Sequence, residues 1–320
     1  MTLIDQSKRL AHRVLYLPAL LALLLALLLA SPAQAQVYQL RPGLLVDMGQ
    51  STAYVMQPRG GVAAVALDSG QTRWQSDGMD RPISLVGGRL VGQAEGTRAG
   101  QLTLVTLDGQ SGQQLGTAVV QLESQVLTSV DQGLGVRFDI QAQRPDSVDQ
   151  IDWRFQRRTV KGAPIGPEPT DISSQGALRM NLTASTVTAI NSVANPWDSA
   201  AAIEETLELD GVPGRQFRAL GGAHLLASQR RVSDSPADRY LWQIYDRDGT
   251  ALGRFSSMVS FTPFLVRDGI VLLVNPAHAM RDGDRIVETP LSLVAVDLAS
   301  GKPRWIMEIR DTRYRGPLPS

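Results

Sequence analysis

The residues of this chain best suited to chemistry are a few loop carboxylates and two histidines. Asp246 and Asp248 lie in a DRDG stretch that ends at Gly249, and Asp282 and Asp284 flank Gly283. Carboxylates at such loop spacing are ligands that calcium accepts, but a calcium loop also needs further oxygens and a closing glutamate, which neither stretch supplies. His224 and His278 are far apart and in apolar settings, so the paired-histidine spacing of a zinc site is missing. Cysteine is absent from all 320 residues, which excludes disulfides and thiolate-ligated metals. The sequence also contains no G-x-S-x-G elbow, phosphate loop or dinucleotide fingerprint. No metal or cofactor is expected, and the reading leans away from an enzyme.

Charge narrows the partner. Acidic and basic residues balance at 31 each, and all but Lys8, Lys161 and Lys302 of the basic residues are arginine. No basic run occurs in the body of the chain, so nucleic acid is not expected as a partner. Residues 1–35 read as a secretory leader: Lys8, Arg9 and Arg13 come first, then an apolar run from Val14 to Ala30, then the small residues Ala33 and Ala35. Cleavage after Ala35 would leave a domain of residues 36–320, periplasmic or secreted, with no further apolar span and no cysteine for a lipid. The alternative is that residues 14–30 remain as an anchor.

The elements that must position any functional group are short β-type runs separated by Gly, Asp, Asn, Ser and Pro. The clearest unit is Ser292 to Trp305, an alternating strand, a turn from Asp297 to Gly301, and an outer strand that reaches Trp305. The stretch Val62 to Trp74 repeats it, with Ala66, Asp68, Gly70 and Trp74 in the places of Ala295, Asp297, Gly301 and Trp305 and a turn two residues shorter. Leu102 to Gly116 repeats it again: Asp108 and Gly112 keep the four-residue separation, and Gly116 takes the tryptophan position. A third copy runs from Tyr240 to Phe255, with its turn at Asp246 to Gly249. Weaker copies are Ile151 to Gly166 and Glu205 to Leu220. Turn glycines at 70, 112, 162, 214, 249 and 301 then mark units 35 to 52 residues apart. Units of that length, each four antiparallel strands, stack radially into an all-β propeller because none can bury both faces alone. Six blades are expected, with seven as the alternative, and the two chain ends should meet to close the ring.

Within each unit the residues have scaffold duties. Leu293 and Ala295 should face one neighbouring blade and Val294 and Val296 the other. Asp297 can accept backbone hydrogen bonds inside its turn, Gly301 can take positive φ, and Trp305 can plug the gap to the next blade. Pro164 to Pro169 and Ser233 to Asp238 read as surface loops, and Ser192 to Leu209 has helical potential.

The run Ala295 to Trp305 resembles the tryptophan-docking repeat of the pyrroloquinoline-quinone-type (PQQ-like) β-propellers, and the copies at Trp74 and Gly116 resemble it in part. That superfamily includes quinoprotein dehydrogenases and cofactor-free periplasmic propellers such as the lipoprotein of the outer-membrane β-barrel assembly machinery. The resemblance therefore implies a fold and leaves the activity open. A dehydrogenase of that family implies a longer, eight-bladed chain with a calcium site and an adjacent-cysteine disulfide, and this chain lacks the length and the cysteines. The expected function is a non-catalytic, monomeric interaction or envelope-assembly scaffold that binds an envelope protein through propeller loops. The alternatives are a small-ligand or quinone-binding propeller with a redox role and, behind it, a polysaccharide-acting enzyme.

Overall fold

The computed structural model describes residues 37–95, 98, 100–130, 136–157, 173–191, 216–220, 225–232, 239–246, 248–257, 263–282 and 284–310. The leader, His224, Pro164 to Pro169, Ser192 to Leu209 and Ser233 to Asp238 lie outside the described residues. Those described form strands and turns without a helix.

Five antiparallel sheets of blade type follow one another along the chain. Blade I contains β1 (Val37–Arg41), β2 (Leu44–Asp47), β3 (Thr52–Met56), β4 (Val62–Ala66) and β5 (Thr72–Ser76). Blade II contains β6 (Arg81–Val86), β7 (Arg89–Ala94), β8 (Gln101–Asp108) and β9 (Gln114–Gln121). Blade III contains β10 (Val136–Ala142), β11 (Ile151–Arg157), β12 (Ser173–Asn181) and β13 (Thr186–Ile190). Blade IV contains β14 (Gln216–Arg218), β15 (Leu225–Val232), β16 (Arg239–Tyr245) and β17 (Ala251–Ser257). Blade V contains β18 (Leu265–Arg267), β19 (Ile270–Asn275), β22 (Ser292–Asp297) and β23 (Pro303–Glu308). Between β19 and β22 a hairpin, β20 (His278–Asp282) and β21 (Arg285–Thr289), forms a two-stranded sheet of its own.

The strand sequences follow from this stacking. A middle strand covered on both faces has no solvent side, so TAYVM, VAAVA and SLVAVD are nearly continuous apolar runs. Outer strands meet solvent, and β5 and β23 alternate between exposed and half-buried positions. Four apolar clusters join the blades: I with II, II with III, IV with V, and V with I. Leu293 and Ala295 enter the cluster shared with blade I, while Val294 and Val296 enter the one shared with blade IV. The alternation read from the sequence is the one the fold uses.

The last described blade therefore packs on the first. Arg310 N donates to Met56 O at 2.9 Å, an antiparallel bridge from the end of blade V to blade I. Strand β1 adds to the inner edge of β2, and its Val37 and Leu40 join the clusters on either side of blade I.

Two sequence expectations change. Ile151 to Gly166 was expected to hold a third strand and its turn, but Ile151–Arg157 is the second strand of blade III, and β12 and β13 supply the third and fourth. Of Glu205 to Leu220, the described part contains β14, the inner strand of blade IV, where a third strand, turn and outer strand were expected. Gly162 and Gly214 lie outside the described residues; the described turn between the third and fourth strands of blade III runs from Asn181 to Ser185. The described residues thus build five blades.

The two faces of the wheel differ. On one, tight turns such as 67–71, 109–113 and 298–302 join third to fourth strands. The other has the second-to-third strand connections such as 57–61, the hairpin, and links between blades such as 77–80. Burial predicts the response to truncation. Leu293→Ala, at a fully buried position, should lower stability by about 2 to 5 kcal/mol in denaturant unfolding. Ile306→Ala, at 62% exposure, should stay within about 0.5 kcal/mol of the parent.

Candidate functional site

The residues singled out in the sequence gather in the turns between third and outer strands, and these turns form a chain of contacts around the wheel. The Trp305 indole lies on Gly70 of the next blade, and its Nε1 donates to Leu67 O at 2.9 Å. Trp74 lies on Gly112, and its Nε1 donates to Gly109 O at 3.0 Å. A Cβ added to Gly70 or Gly112 would stand 2.7 or 2.6 Å from the indole it supports. Both glycines also have positive φ, 71° and 73°, which a side chain resists.

Where tryptophan is missing the same contact is made by backbone. Gly116 faces Ser185 of blade III, with Ser185 Oγ 2.4 Å from where a Cβ would be. Gly253 of blade IV lies against Leu298, and Gly301 lies against Arg254 O, so the link from blade IV to blade V is glycine on turn. The third-strand residue opposite compensates in size. Ala295 and Ala64 pair with Trp305 and Trp74, whereas Thr106 and Ile244 pair with Gly116 and Gly253. A large residue on either strand fills the junction, and close packing tolerates only one of the two.

An acceptor side chain organises the turns of blades II to V. Asp108 Oδ1 accepts from Ser111 N at 2.8 Å, Ser111 Oγ at 2.8 Å and Gln110 N at 3.1 Å. Asp297 accepts from Ser300 N and Oγ, each at 2.9 Å, and its other oxygen takes Arg304 Nη2 at 2.9 Å. The Ser111 backbone hydrogen bond holds the Asp108 carboxyl below its ordinary value, and the Ser300 backbone bond, then Arg304, does so for Asp297. Asp246 accepts from Thr250 N at 2.8 Å and Asp248 N at 2.9 Å, so the DRDG carboxylate is engaged in its own turn. Nearby, Tyr54 donates to Gly109 O at 3.2 Å, and burial, followed by the charge of Asp47, pushes its hydroxyl well above the ordinary phenol range.

Hydrogen bonds correct one register. Ala66 N donates to Gln71 O and Gly70 N to Ala66 O, as Asp297 N does to Lys302 O and Gly301 N to Asp297 O. Ala66 therefore takes the place of Asp297, the two turns are equally long, and Asp68 is an exposed residue at the tip. Ala64 is the counterpart of Ala295. With alanine in the place of Asp297, Arg73 reaches instead to Thr52 Oγ1 at 2.7 Å and Gln50 O at 3.1 Å.

The blade III turn escaped the sequence reading. Asn181 Oδ1 accepts from Thr183 N and Ala184 N, each at 3.0 Å, and Ser185 has φ 51° in the glycine position. The signal was there in N-L-T-A-S, an acceptor followed four residues later by a small residue. Of the remaining candidates, His278 approaches Pro276 O at 3.1 Å. No group of three or more metal-ligating residues forms among the described residues.

The hairpin on the other face carries two exposed apolar groups, while Leu115, Val119, Leu252 and Ile306 are exposed on outer strands. Ile286 and Val287 on β21 are 73% and 46% exposed, and as strand neighbours they point to opposite sides of the ribbon. Loop carboxylates fasten the blade II connections: Glu95 N donates to Asp80 Oδ2 at 2.8 Å, and Glu95 accepts from Ser129 Oγ at 2.7 Å and Val130 N at 3.1 Å.

Sheets and docking turns together define a β-propeller. No family model matches the chain, and no curated protein matches it. Solved structures similar to it include a europium-containing methanol dehydrogenase, at 11% identity and TM-score 0.27 over 84% of this chain and 62% of that one. Another is BamB from Moraxella catarrhalis, at 14% identity and TM-score 0.21 over 82% of this chain and 59% of that one. A third is a quinohemoprotein alcohol dehydrogenase from Pseudomonas putida HK5, at 7% identity and TM-score 0.24 over 82% and 58%. The aligned region thus spans about three-fifths of each of these structures. With scores this low, the propeller assignment rests on the chain's own sheets and turns.

Two outcomes follow from the docking geometry. Gly116→Trp alone should destabilise the protein, because its side chain meets Ser185; adding Thr106→Ala and Ser185→Gly should restore much of the loss in melting temperature. The turn carboxylates predict acid sensitivity. Held below the ordinary 3.8 in the folded state, they add stability above that value that disappears as pH falls through their folded values. Asp108→Asn/Asp297→Asn should therefore show a shallower drop in melting temperature below pH 3.8 than the parent. The difference should be small because both groups are exposed.

Proposed function

We propose that this protein is a non-catalytic scaffold of the bacterial envelope, delivered there by the leader in residues 1–35, and that it binds a protein partner through the face with the long connections. One observation carries the reading: the β20–β21 ribbon projects from blade V with apolar groups exposed on both of its sides, Ile286 and Val287. A two-stranded ribbon is marginal by itself, and neighbouring exposed aliphatic groups on a projecting element are what a partner surface buries. The opposite face is unsuited to this, because its turns are short and engaged in docking.

Capture of envelope proteins by purified protein tests the proposal. A defined partner should be recovered by the parent and lost with Ile286→Asp/Val287→Asp, whose melting temperature should match the parent because both positions are exposed. Equal recovery by that variant would place the contact elsewhere, and absence of any partner across solvent conditions would remove the scaffold reading.

A further inference from the structure

The β20–β21 hairpin continues the β19–β22 hairpin without a change of register. Asn275 pairs with Ser292 where the blade's ladder ends, and His278 pairs with Thr289 where the ribbon begins. Two residues intervene on each arm, Pro276 and Ala277 on one and Pro290 and Leu291 on the other. One long hairpin in this register would pair throughout, yet the ladder is broken at these two positions and the ribbon forms a sheet of its own.

Proline explains the break. Leu298 N donates to Gly269 O at 2.8 Å at the open end of the hairpin, and antiparallel pairs alternate between those that exchange both backbone bonds and those that exchange none. Followed along the register, the alternation makes Asn275 and Ser292 an exchanging pair, and Ala277 and Pro290 the next. Leu291 agrees, because its carbonyl accepts from Ile309 N at 2.9 Å on the side away from β19. Pro290 has no N–H to give to Ala277, and Pro276 holds φ at about −65° where an antiparallel strand needs about −140°. One arm loses a donor and the other loses its extended backbone. The base of the ribbon is nonetheless anchored: Leu291 is buried in the cluster between blades V and I, and Ala277 packs against it. Beyond that base Arg285 to Glu288 are exposed, and neither ribbon strand pairs with another described strand.

We propose that this double-proline joint is a hinge, and that the β20–β21 ribbon swings on it as a unit while blade V stays fixed in the wheel. Within the ribbon the ladder holds, since the same alternation makes Ala279 with Glu288 and Arg281 with Ile286 exchanging pairs. At the joint the pairing that would resist bending is interrupted. Hinges are a few residues at element ends that absorb a change of backbone angle, and Pro276, Ala277, Pro290 and Leu291 are placed to do so. The inference goes beyond the scaffold reading and holds whether or not the ribbon binds a partner.

The full chain has no cysteine, so pairs of spin labels can be placed uniquely and their distances read by pulsed dipolar spectroscopy. Arg285→Cys/Ile306→Cys measures the ribbon against the outer strand of blade V, and Leu115→Cys/Ile306→Cys measures blade II against blade V, all at exposed positions. The ribbon pair should give a broad distribution and the blade pair a narrow one. Pro276→Val/Pro290→Val, which supplies the donor and releases φ, should narrow the ribbon distribution to the width of the blade pair, and Pro290→Val alone should narrow it in part. Amide hydrogen exchange separates swinging from melting: Ile286 and Glu288, whose N–H groups face β20, should exchange about tenfold or more slowly than Arg285 and Val287. The proposal is overturned if the ribbon pair in the parent is as narrow as the blade pair, if replacing the prolines leaves its width unchanged, or if all four amides exchange alike.

Discussion

The contact on which this structure depends is an outer-strand residue laid on the positive-φ turn of the next blade. No blade buries both faces by itself, so each is stable only against its neighbours. Apolar clusters supply the attraction, but attraction between flat sheets sets no angle. The docked pair does: Trp305 on Gly70 fixes the distance from outer strand to turn and adds an indole hydrogen bond to Leu67 O. Because blade V is the last described blade and blade I the first, this one pair also brings the two ends of the row together.

The turn is shaped for that role before any neighbour arrives. An acceptor side chain satisfies the amides of its bend, and a residue with positive φ returns the chain at close quarters. Asp108, Asn181, Asp246 and Asp297 all do the first job. Blade I dispenses with it at Ala66, and Arg73 ties the neighbouring strands instead. Volume is then shared across the ladder, alanine under tryptophan or a larger residue opposite glycine. A worn repeat can thus keep its geometry while losing the letters that identify it.

That explains what could be read from the sequence. Trp305, Gly301 and Asp297 were legible because each is the extreme residue type for its physical task. The alternation from Leu293 to Val296 was legible because two-sided burial leaves no ambiguity about which residues face which neighbour. Asn181 and Ser185 were missed because they do the same tasks with residues that are common in any loop. The register of Asp68 misled for a related reason: an aspartate near a turn was matched by type, while the backbone hydrogen bonds are made at Ala66. Gly116 was read as a missing plug, and only the structure shows Thr106 supplying the volume from the opposite strand. The two unlike faces were not read from the sequence; in the structure, loop length gives the wheel one face of engaged turns and one bearing the β20–β21 hairpin.

The most direct test of the docking account is a double-mutant cycle in equilibrium unfolding with Trp305→Ala, Gly70→Ala and their combination. Positive-φ strain from the new alanine is present in both backgrounds and cancels, leaving the contact between its Cβ and the indole. If Trp305 lies on Gly70 and closes the arc, the two losses should be strongly non-additive, with a coupling of about 1 to 3 kcal/mol and a smaller cost of Gly70→Ala once the indole is gone. Additive losses would mean that the last blade is not docked on the first, and the closed arrangement would be wrong.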